Sequence, residues 1–338
     1  MTLTRPTAEV ADGPEPARRH ATGRAVAVLA LVAVAALIPL LGPRAALDGT
    51  GEAAAPGAGG IALLRAVLFA ALCVPVGELF AARLARRVGT PLGDAPRSWA
   101  PFAAAAGFVA ALGLASVVAT GNLLPHHLSD MDVGGLYQTR EGKLALLEVN
   151  AFGVAGLCAF YRRPALQVWP LAAVAVAEAL RAHPPTEDSP LVGSGLTLVH
   201  LICASLWVGG LLYVLRMLRE LRKSGPTETG VALLGLYARV AAVLFAALTA
   251  TGTWSALRRM PPGTVLDQLT TTAYGRTLLA KLLLVVAVAV LALWARLRLR
   301  RATDPLSACS SARAEVLALG VVVVVSGVLT ALPVPIRW

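Results

Sequence analysis

The chain has 338 residues, of which 57% are hydrophobic and only 14% charged, whereas a soluble domain carries about 25% charged residues. Its formal net charge of +11 would suggest nucleic acid as the partner of a soluble protein. The mean hydropathy of +0.71 excludes that class, so we expect a lipid bilayer, and no nucleic acid, around this chain.

Nine apolar runs approach the length of about 20 residues that a helix needs to cross a bilayer. They are 25–42, 61–82, 99–118, 144–161, 165–182, 191–215, 231–254, 277–295 and 314–332. Backbone groups in lipid must be paired within the chain, and no alternating pattern of strands is present. The sequence therefore predicts an all-α, polytopic membrane helical bundle of about nine transmembrane helices.

Lysines and arginines are distributed unequally between the two sides that these runs define. About two-thirds of the 30 basic residues fall on the side that also holds the N-terminal tail, and the basic side is normally cytoplasmic. We expect residues 1–23 to be a disordered cytoplasmic tail, 24–60 an uncleaved N-terminal transmembrane anchor and outer loop, and the C-terminus to lie outside.

Three pairs of similar segments recur in the same order. VGELFAARLARR (76–87) matches VGGLLYVLRMLR (208–219), ATG (119–121) matches ATG (250–252), and LYQTREGKLALLE (136–148) matches LTTTAYGRTLLAK (269–281). The offsets are 132, 131 and 133 residues. They predict two parallel four-helix repeats, 61–190 and 191–338, related by a pseudo-twofold axis along the membrane normal. Transporters commonly bind their substrate at such a repeat interface.

Candidate metal ligands concentrate on the predicted outer side. His200 and Cys203 lie one helical turn apart in an apolar run, His183 ends the preceding run, and HHLSDMD supplies His126, His127 and Met131. Imidazole, thiolate and thioether are donors that copper prefers. The alternatives are a histidine that caps a helix end, a cysteine that only packs, and a solvated polar loop.

Ionisable residues inside apolar runs are costly in lipid and usually face a partner or a cavity. Glu148, Glu178 and Lys281 all lie near the predicted outer ends of their runs. The sequence predicts that they line a polar vestibule. No nucleotide-binding loop, metalloprotease motif or nucleophile elbow is present, so we do not expect an enzyme.

The second half of the chain resembles the copper resistance protein D (CopD) family of bacterial inner-membrane proteins. The resemblance rests on His200 followed by ASLWVGGL (204–211), then TGTWSAL (251–257), TTAYGRTLLAKLLLV (271–285), SARAEVLALG (311–320) and ALPVP (331–335). It implies copper transport across the cytoplasmic membrane beside an extracytoplasmic copper-binding partner, and it maps the family's histidines to His200 and His183.

Two other functions fit the same residues. A haem-binding electron-transfer bundle would use His183 and His200 as axial ligands. A copper-binding assembly factor or receptor would bind the ion without moving it. For transport, we expect copper to be received at the outer face.

Overall fold

The computed structural model describes residues 41–90, 95–121, 127–187, 189–224, 227–260, 262–301 and 309–333. These ranges contain eleven α-helices and no strand. The helices are α1 (Pro43–Leu47), α2 (Ala58–Arg87), α3 (Ala100–Ala119), α4 (Val133–Gln138), α5 (Arg140–Phe160), α6 (Val168–Arg181), α7 (Pro190–Ser224), α8 (Thr227–Arg259), α9 (Val265–Thr271), α10 (Ala273–Arg301) and α11 (Cys309–Thr330).

Within the described residues, six stretches are long and apolar enough to cross a membrane. They are Ala58–Arg87, Ala100–Ala119, Arg140–Phe160, Pro190–Leu221, Glu228–Arg259 and Ala273–Val290. A shorter apolar stretch, Leu317–Thr330, lies in α11, and α6 has 14 residues. The prediction of an all-α polytopic membrane bundle is confirmed. Eight of the predicted runs coincide with helices, whereas the tail and most of the run 25–42 lie outside the described residues.

The helix α6 is shorter than its apolar run because its first residues take another conformation. Pro164–Gln167 forms a 3₁₀ turn, and the α-helix starts only at Val168. Proline fixes its own φ and suits the first turn of a helix. The tight turn therefore takes up residues that the apolar pattern assigned to the span.

Helices α2 and α7 form the centre of the bundle. α2 packs against α3, α7 and α11, while α7 packs against α2, α8 and α6. One apolar core joins α2, α3, α5 and α6, and includes Phe152 and Leu68. A second core lies around α7 and α8 and includes Leu218 and Leu233. Each half of the chain therefore has a core of its own, and the pair α2–α7 connects them.

The crossing of α2 and α7 brings together residues that are 132 positions apart. A Cβ on Gly77 would lie 2.0 Å from the carbonyl carbon of Gly209, and one on Gly209 would lie 1.8 Å from the carbonyl oxygen of Cys73. Nearby, Cys73 Sγ and Ser205 Oγ are 3.7 Å apart. The expectation that Gly77 and Gly209 mark a close helix contact is confirmed. Equivalent residues meet in this way only next to a twofold axis, which supports the predicted repeat.

The segments before α5 and α10 share a local structure at an offset of 133. Thr139 Oγ1 accepts a hydrogen bond from Gly142 N at 3.1 Å, and Thr272 Oγ1 accepts one from Gly275 N at 3.0 Å. A Cβ on Gly142 would meet the backbone of Leu136, and one on Gly275 would meet that of Gln268. Only glycine lets the preceding short helix approach this closely, which explains the shared T-x-x-G-[KR] pattern.

The third predicted glycine pair, Gly121 and Gly252, has a different local structure in each half. Gly121 follows the end of α3 with a φ of +68°, a conformation that favours glycine. Gly252 lies inside α8, which continues to Arg259. A Cβ on Gly252 would lie 3.3 Å from the ring of His200. The boundary between the halves, 61–190 and 191–338, stays a prediction that these paired features support.

The two ends of the bundle differ in charge. Helices α2, α5 and α7 all finish at one end, which we call the basic end because it carries Arg83, Arg86, Arg162, Arg163 and Arg219. α2 begins at the opposite end, and α6 and α11 finish there. The predicted metal ligands of α6 and α7 lie at that opposite end.

Candidate metal site

His200 lies half-buried on α7, with its ring against α8. Its Nδ1 is 3.0 Å from Thr251 Oγ1, and that hydroxyl donates its own proton to the carbonyl oxygen of Ala247 at 2.7 Å. Thr251 can then only accept a hydrogen bond from the ring, so Nδ1 carries the proton of the neutral imidazole. The ring also forms a hydrogen bond with the backbone of Leu248, whose carbonyl oxygen accepts from Thr251 Oγ1 as well. Nε2 is the ring nitrogen that remains as the candidate metal ligand. A hydrogen bond at one ring nitrogen commonly sets the other as a metal ligand.

Cys203 lies one turn further along α7, as a free and buried thiol. It belongs to the apolar core that also contains Trp207. The carbonyl oxygen of Trp207 accepts a hydrogen bond from the Tyr237 hydroxyl at 2.6 Å, and its ring makes an edge contact with Phe245. Trp207 is thus a core residue, and Cys203 is placed between that core and His200.

Lys281, on α10, is close enough to the imidazole of His200 to interact with it electrostatically. Lys281 makes no ion pair within the described part of the chain. A positive charge beside His200 raises the free energy of any cation held there.

His183 has partners for both ring nitrogens. Nδ1 is 2.6 Å from Glu187 Oε2, and Nε2 is 2.9 Å from Thr197 Oγ1. The ring is buried and packs on Gly193, where a Cβ would lie 2.5 Å from Nδ1. Thr197 and His200 occupy successive turns of α7, so both histidines are at the same end of that helix. Metal ligation by His183 would require one of its two hydrogen bonds to break.

The loop HHLSDMD follows α3 at the opposite end. His126 lies outside the described residues. His127 is exposed, and its backbone N–H donates to Asp130 Oδ2 at 2.9 Å, while Met131 is half-buried. Within the ranges that the structure describes, no three His, Cys, Asp or Glu side chains come close enough to hold a metal ion. The predicted ligands are thus near one end of the bundle but do not form a closed cage.

Two arginines that the sequence interpretation missed accompany the predicted acidic residues. Arg65 Nη1 on α2 donates to both carboxylate oxygens of Glu178 at 2.5 Å. Arg181 Nη2 lies 2.9 Å from Glu148 Oε2, in a pair whose Glu148 side chain is fully buried. The carboxylates interact with each other as well. We call these four residues the α2–α5–α6 charge network. Arg65 and Arg181 both interrupt predicted apolar runs. That position could have indicated that each arginine has a charged partner inside the bundle.

The same positions carry different residues in the second half. At the offsets of the repeat, Lys281 corresponds to Glu148, Thr197 to Arg65, and His200 to Leu68. In the first half, two acidic and two basic groups form two close pairs. The second half has the ammonium of Lys281 and the imidazole of His200. Glu148 and Glu178 thus have partners within the first half, whereas Lys281 belongs to the surroundings of His200.

The comparisons with known proteins add one match. A family model described as copper resistance protein D covers residues 231–329. This range includes α9 and the segments TGTWSAL and TTAYGRTLLAKLLLV, but it begins after His200. No curated protein and no solved structure matches the chain. Residues 231–329 thus match the copper resistance protein D family model, in a chain with several helices long and apolar enough to cross a membrane, and this match confirms the resemblance that the sequence motifs indicate.

Proposed function

We propose that this protein transports copper ions across the cytoplasmic membrane and receives them at the outer face through His200. The single observation that carries the proposal is the hydrogen bond between His200 Nδ1 and Thr251, which directs that nitrogen towards α8 and makes Nε2 the candidate ligand atom. Thr251 belongs to TGTWSAL, within the copper resistance protein D domain. The domain and the histidine ligand are therefore joined by a direct hydrogen bond.

The donor atoms and charges around His200 suit the passage of a copper ion better than its permanent binding. The imidazole and the Cys203 thiol follow one another along α7, and Cu(I) accepts both donor types. Lys281 disfavours a cation that stays. A copper ion bound by few ligands next to a positive charge can leave again, as transport requires. The basic end is cytoplasmic in this proposal, and an extracytoplasmic copper-binding protein supplies the ion.

The test is copper uptake into proteoliposomes, with a metal count on the purified protein. His200→Ala and His200→Phe should both abolish uptake, because losing a ligand atom removes binding and the phenyl ring of the second variant keeps the packing. Trp207→Phe, two turns along the same helix, is the control and should transport copper at close to the normal rate.

Normal transport by His200→Phe would contradict the proposal. The ligands would then have to be sought first at His126, His127 and Met131. All variants should elute as monodisperse protein with unchanged helical content, so that a lost activity is not a lost fold.

A copper receptor or assembly factor is the second candidate function, and an observation at the basic end favours it. Glu78, the acidic residue deep in that end of α2, is tied to Arg216 Nη1 at 3.1 Å and to Trp99 N at 2.8 Å. It is thus not available to pass a cation onward. A receptor would show bound copper that depends on His200 but no uptake by the wild-type protein.

A further inference from the structure

A cavity of about 390 Å³ opens at the basic end, away from His200. It lies between α2, the start of α3, the 3₁₀ turn before α6, and α7. Most of its wall is apolar and includes Pro75, Leu79 and Ala165. Its polar wall consists of Glu78, Arg83, Arg86, Ser98, Gln167 and Tyr213. The cavity is independent of the proposed copper site, which is at the opposite end.

Two buried polar side chains line this cavity without using their hydrogen-bonding groups. Gln167 is 5% exposed and Tyr213 is 7% exposed. Neither the amide of Gln167 nor the hydroxyl of Tyr213 makes a hydrogen bond within the described ranges. Polar groups in such a place pair with protein or with ordered water. Both groups are therefore available to bind the polar atoms of a ligand that displaces water from the cavity.

The charge of the cavity is positive. Glu78 is already neutralised by Arg216, and Ser98 Oγ also donates to its carboxylate at 2.5 Å. Arg83 and Arg86 line the same cavity and form no ion pair in the part of the chain that the structure describes. Guanidinium groups bind phosphate with paired hydrogen bonds. The ligand that this wall favours is an anion with several acceptor oxygens.

The cavity lies at the level of the membrane interface. Exposed aromatic side chains surround this end of the bundle: Trp99 is 45% exposed, Phe160 74%, Tyr161 69% and Trp169 77%. Aromatic belts mark the depth of lipid headgroups. At this depth a mainly apolar cavity with basic residues at its rim matches a lipid, whose phosphate is charged and whose chains are apolar.

We propose that this cavity binds the phosphate of an anionic lipid headgroup. Arg83 and Arg86 pair with the phosphate oxygens, the Gln167 amide and the Tyr213 hydroxyl bind the remaining polar atoms, and the apolar wall contacts the start of the acyl chains. Free phosphate has the same recognition chemistry as the headgroup, so the experiment must separate the two sources.

The test is native mass spectrometry of the full chain, released from detergent that contains phosphatidylglycerol or phosphatidylcholine. The wild-type protein should retain phosphatidylglycerol about tenfold more tightly, since charge-assisted contacts of this kind are among the stronger ones. The double variant Arg83→Gln/Arg86→Gln should lose that preference. Gln167→Leu, which keeps every charge, should weaken retention by about threefold.

Arg87→Gln is the matched control. Arg87 is an exposed arginine at the end of the same helix but does not line the cavity, so its removal should leave the preference unchanged. Equal retention of both lipids by the wild-type protein, or an equal loss in the Arg87 variant, would overturn the proposal. Displacement of the lipid by millimolar inorganic phosphate would overturn the lipid as the ligand and assign the cavity to free phosphate.

Discussion

At the level of single residues, the two halves of the chain differ in whether a buried charged side chain has a partner of opposite charge. In the first half, Arg65 pairs with Glu178 and Arg181 with Glu148, and all four side chains are almost removed from solvent. In the second half, Lys281 takes the position of Glu148 in the repeat and has no acidic partner among the described residues. A buried ion pair needs both of its partners, because removing one of them leaves an uncompensated charge in the interior.

We expect Arg65→Met to destabilise the protein by about 3–5 kcal/mol, because it leaves the carboxylate of Glu178 buried without its counter-ion. Arg65→Met combined with Glu178→Gln should recover most of that loss, since no unpaired charge remains. Arg163→Met, an exposed arginine at the basic end, is the control and should have little effect. The measurement is the unfolding midpoint in detergent. An additive effect of the two changes would contradict direct pairing.

Some site residues could be recognised from the sequence, whereas the partners of others could not. Glu148, Glu178 and Lys281 stood out because they interrupt apolar runs. The partners of Glu178 and His183 could not be predicted, because Arg65 is 113 residues from Glu178 and Thr197 follows His183 across a turn. Sequence pattern identifies which side chains need a partner in lipid, but only the packing of α2, α6 and α7 decides which partner each one has.

At the element scale, the contact between α2 and α7 depends on the absence of two side chains. Gly209→Ala would place a Cβ 1.8 Å from the carbonyl oxygen of Cys73. A backbone atom cannot rotate away, so the two helices must separate. We expect a loss of about 1–3 kcal/mol or more, as for other overpacked cores, measured from the unfolding midpoint in detergent.

Gly235→Ala is the matched control for this change. Gly235 lies inside α8, and a Cβ there has no atom within 4 Å. Alanine is the better helix former by about 1 kcal/mol, so this variant should be as stable as the wild-type protein or slightly more. Equal behaviour of the two variants would show that the crossing tolerates a wider separation than the structure has.

Helix positions were predictable from apolar runs, whereas their ends were not. The run 61–82 became α2, Ala58–Arg87, because a helix continues past the apolar stretch through residues that favour it. The repeated threonine caps before α5 and α10 were present in the sequence as T-x-x-G-[KR]. The 3₁₀ turn at Pro164–Gln167 had no such repeated signal, because a proline suits the first turn of either kind of helix and does not tell one from the other.

On the scale of the whole molecule, the predicted duplication offers one account of where the charged residues lie. Residues at an offset of 132 meet at the α2–α7 crossing, which is where a twofold axis between the predicted repeats would pass. At the opposite end, the predicted first repeat carries the α2–α5–α6 charge network, and the predicted second repeat carries His200 and Lys281. The cavity at the basic end is lined mainly by residues of the predicted first repeat.

The proposed direction of copper movement depends on the orientation of the bundle in the membrane. The excess of lysine and arginine places the basic end in the cytoplasm. In a background without reactive native cysteines, single cysteines at Arg87 and Ser129, both exposed positions, should react oppositely with a membrane-impermeant maleimide added to intact cells. Ser129→Cys should be labelled at once, whereas Arg87→Cys should need permeabilised cells. Labelling of Arg87→Cys from outside would invert the bundle, place His200 at the cytoplasmic side and turn the proposed uptake into export.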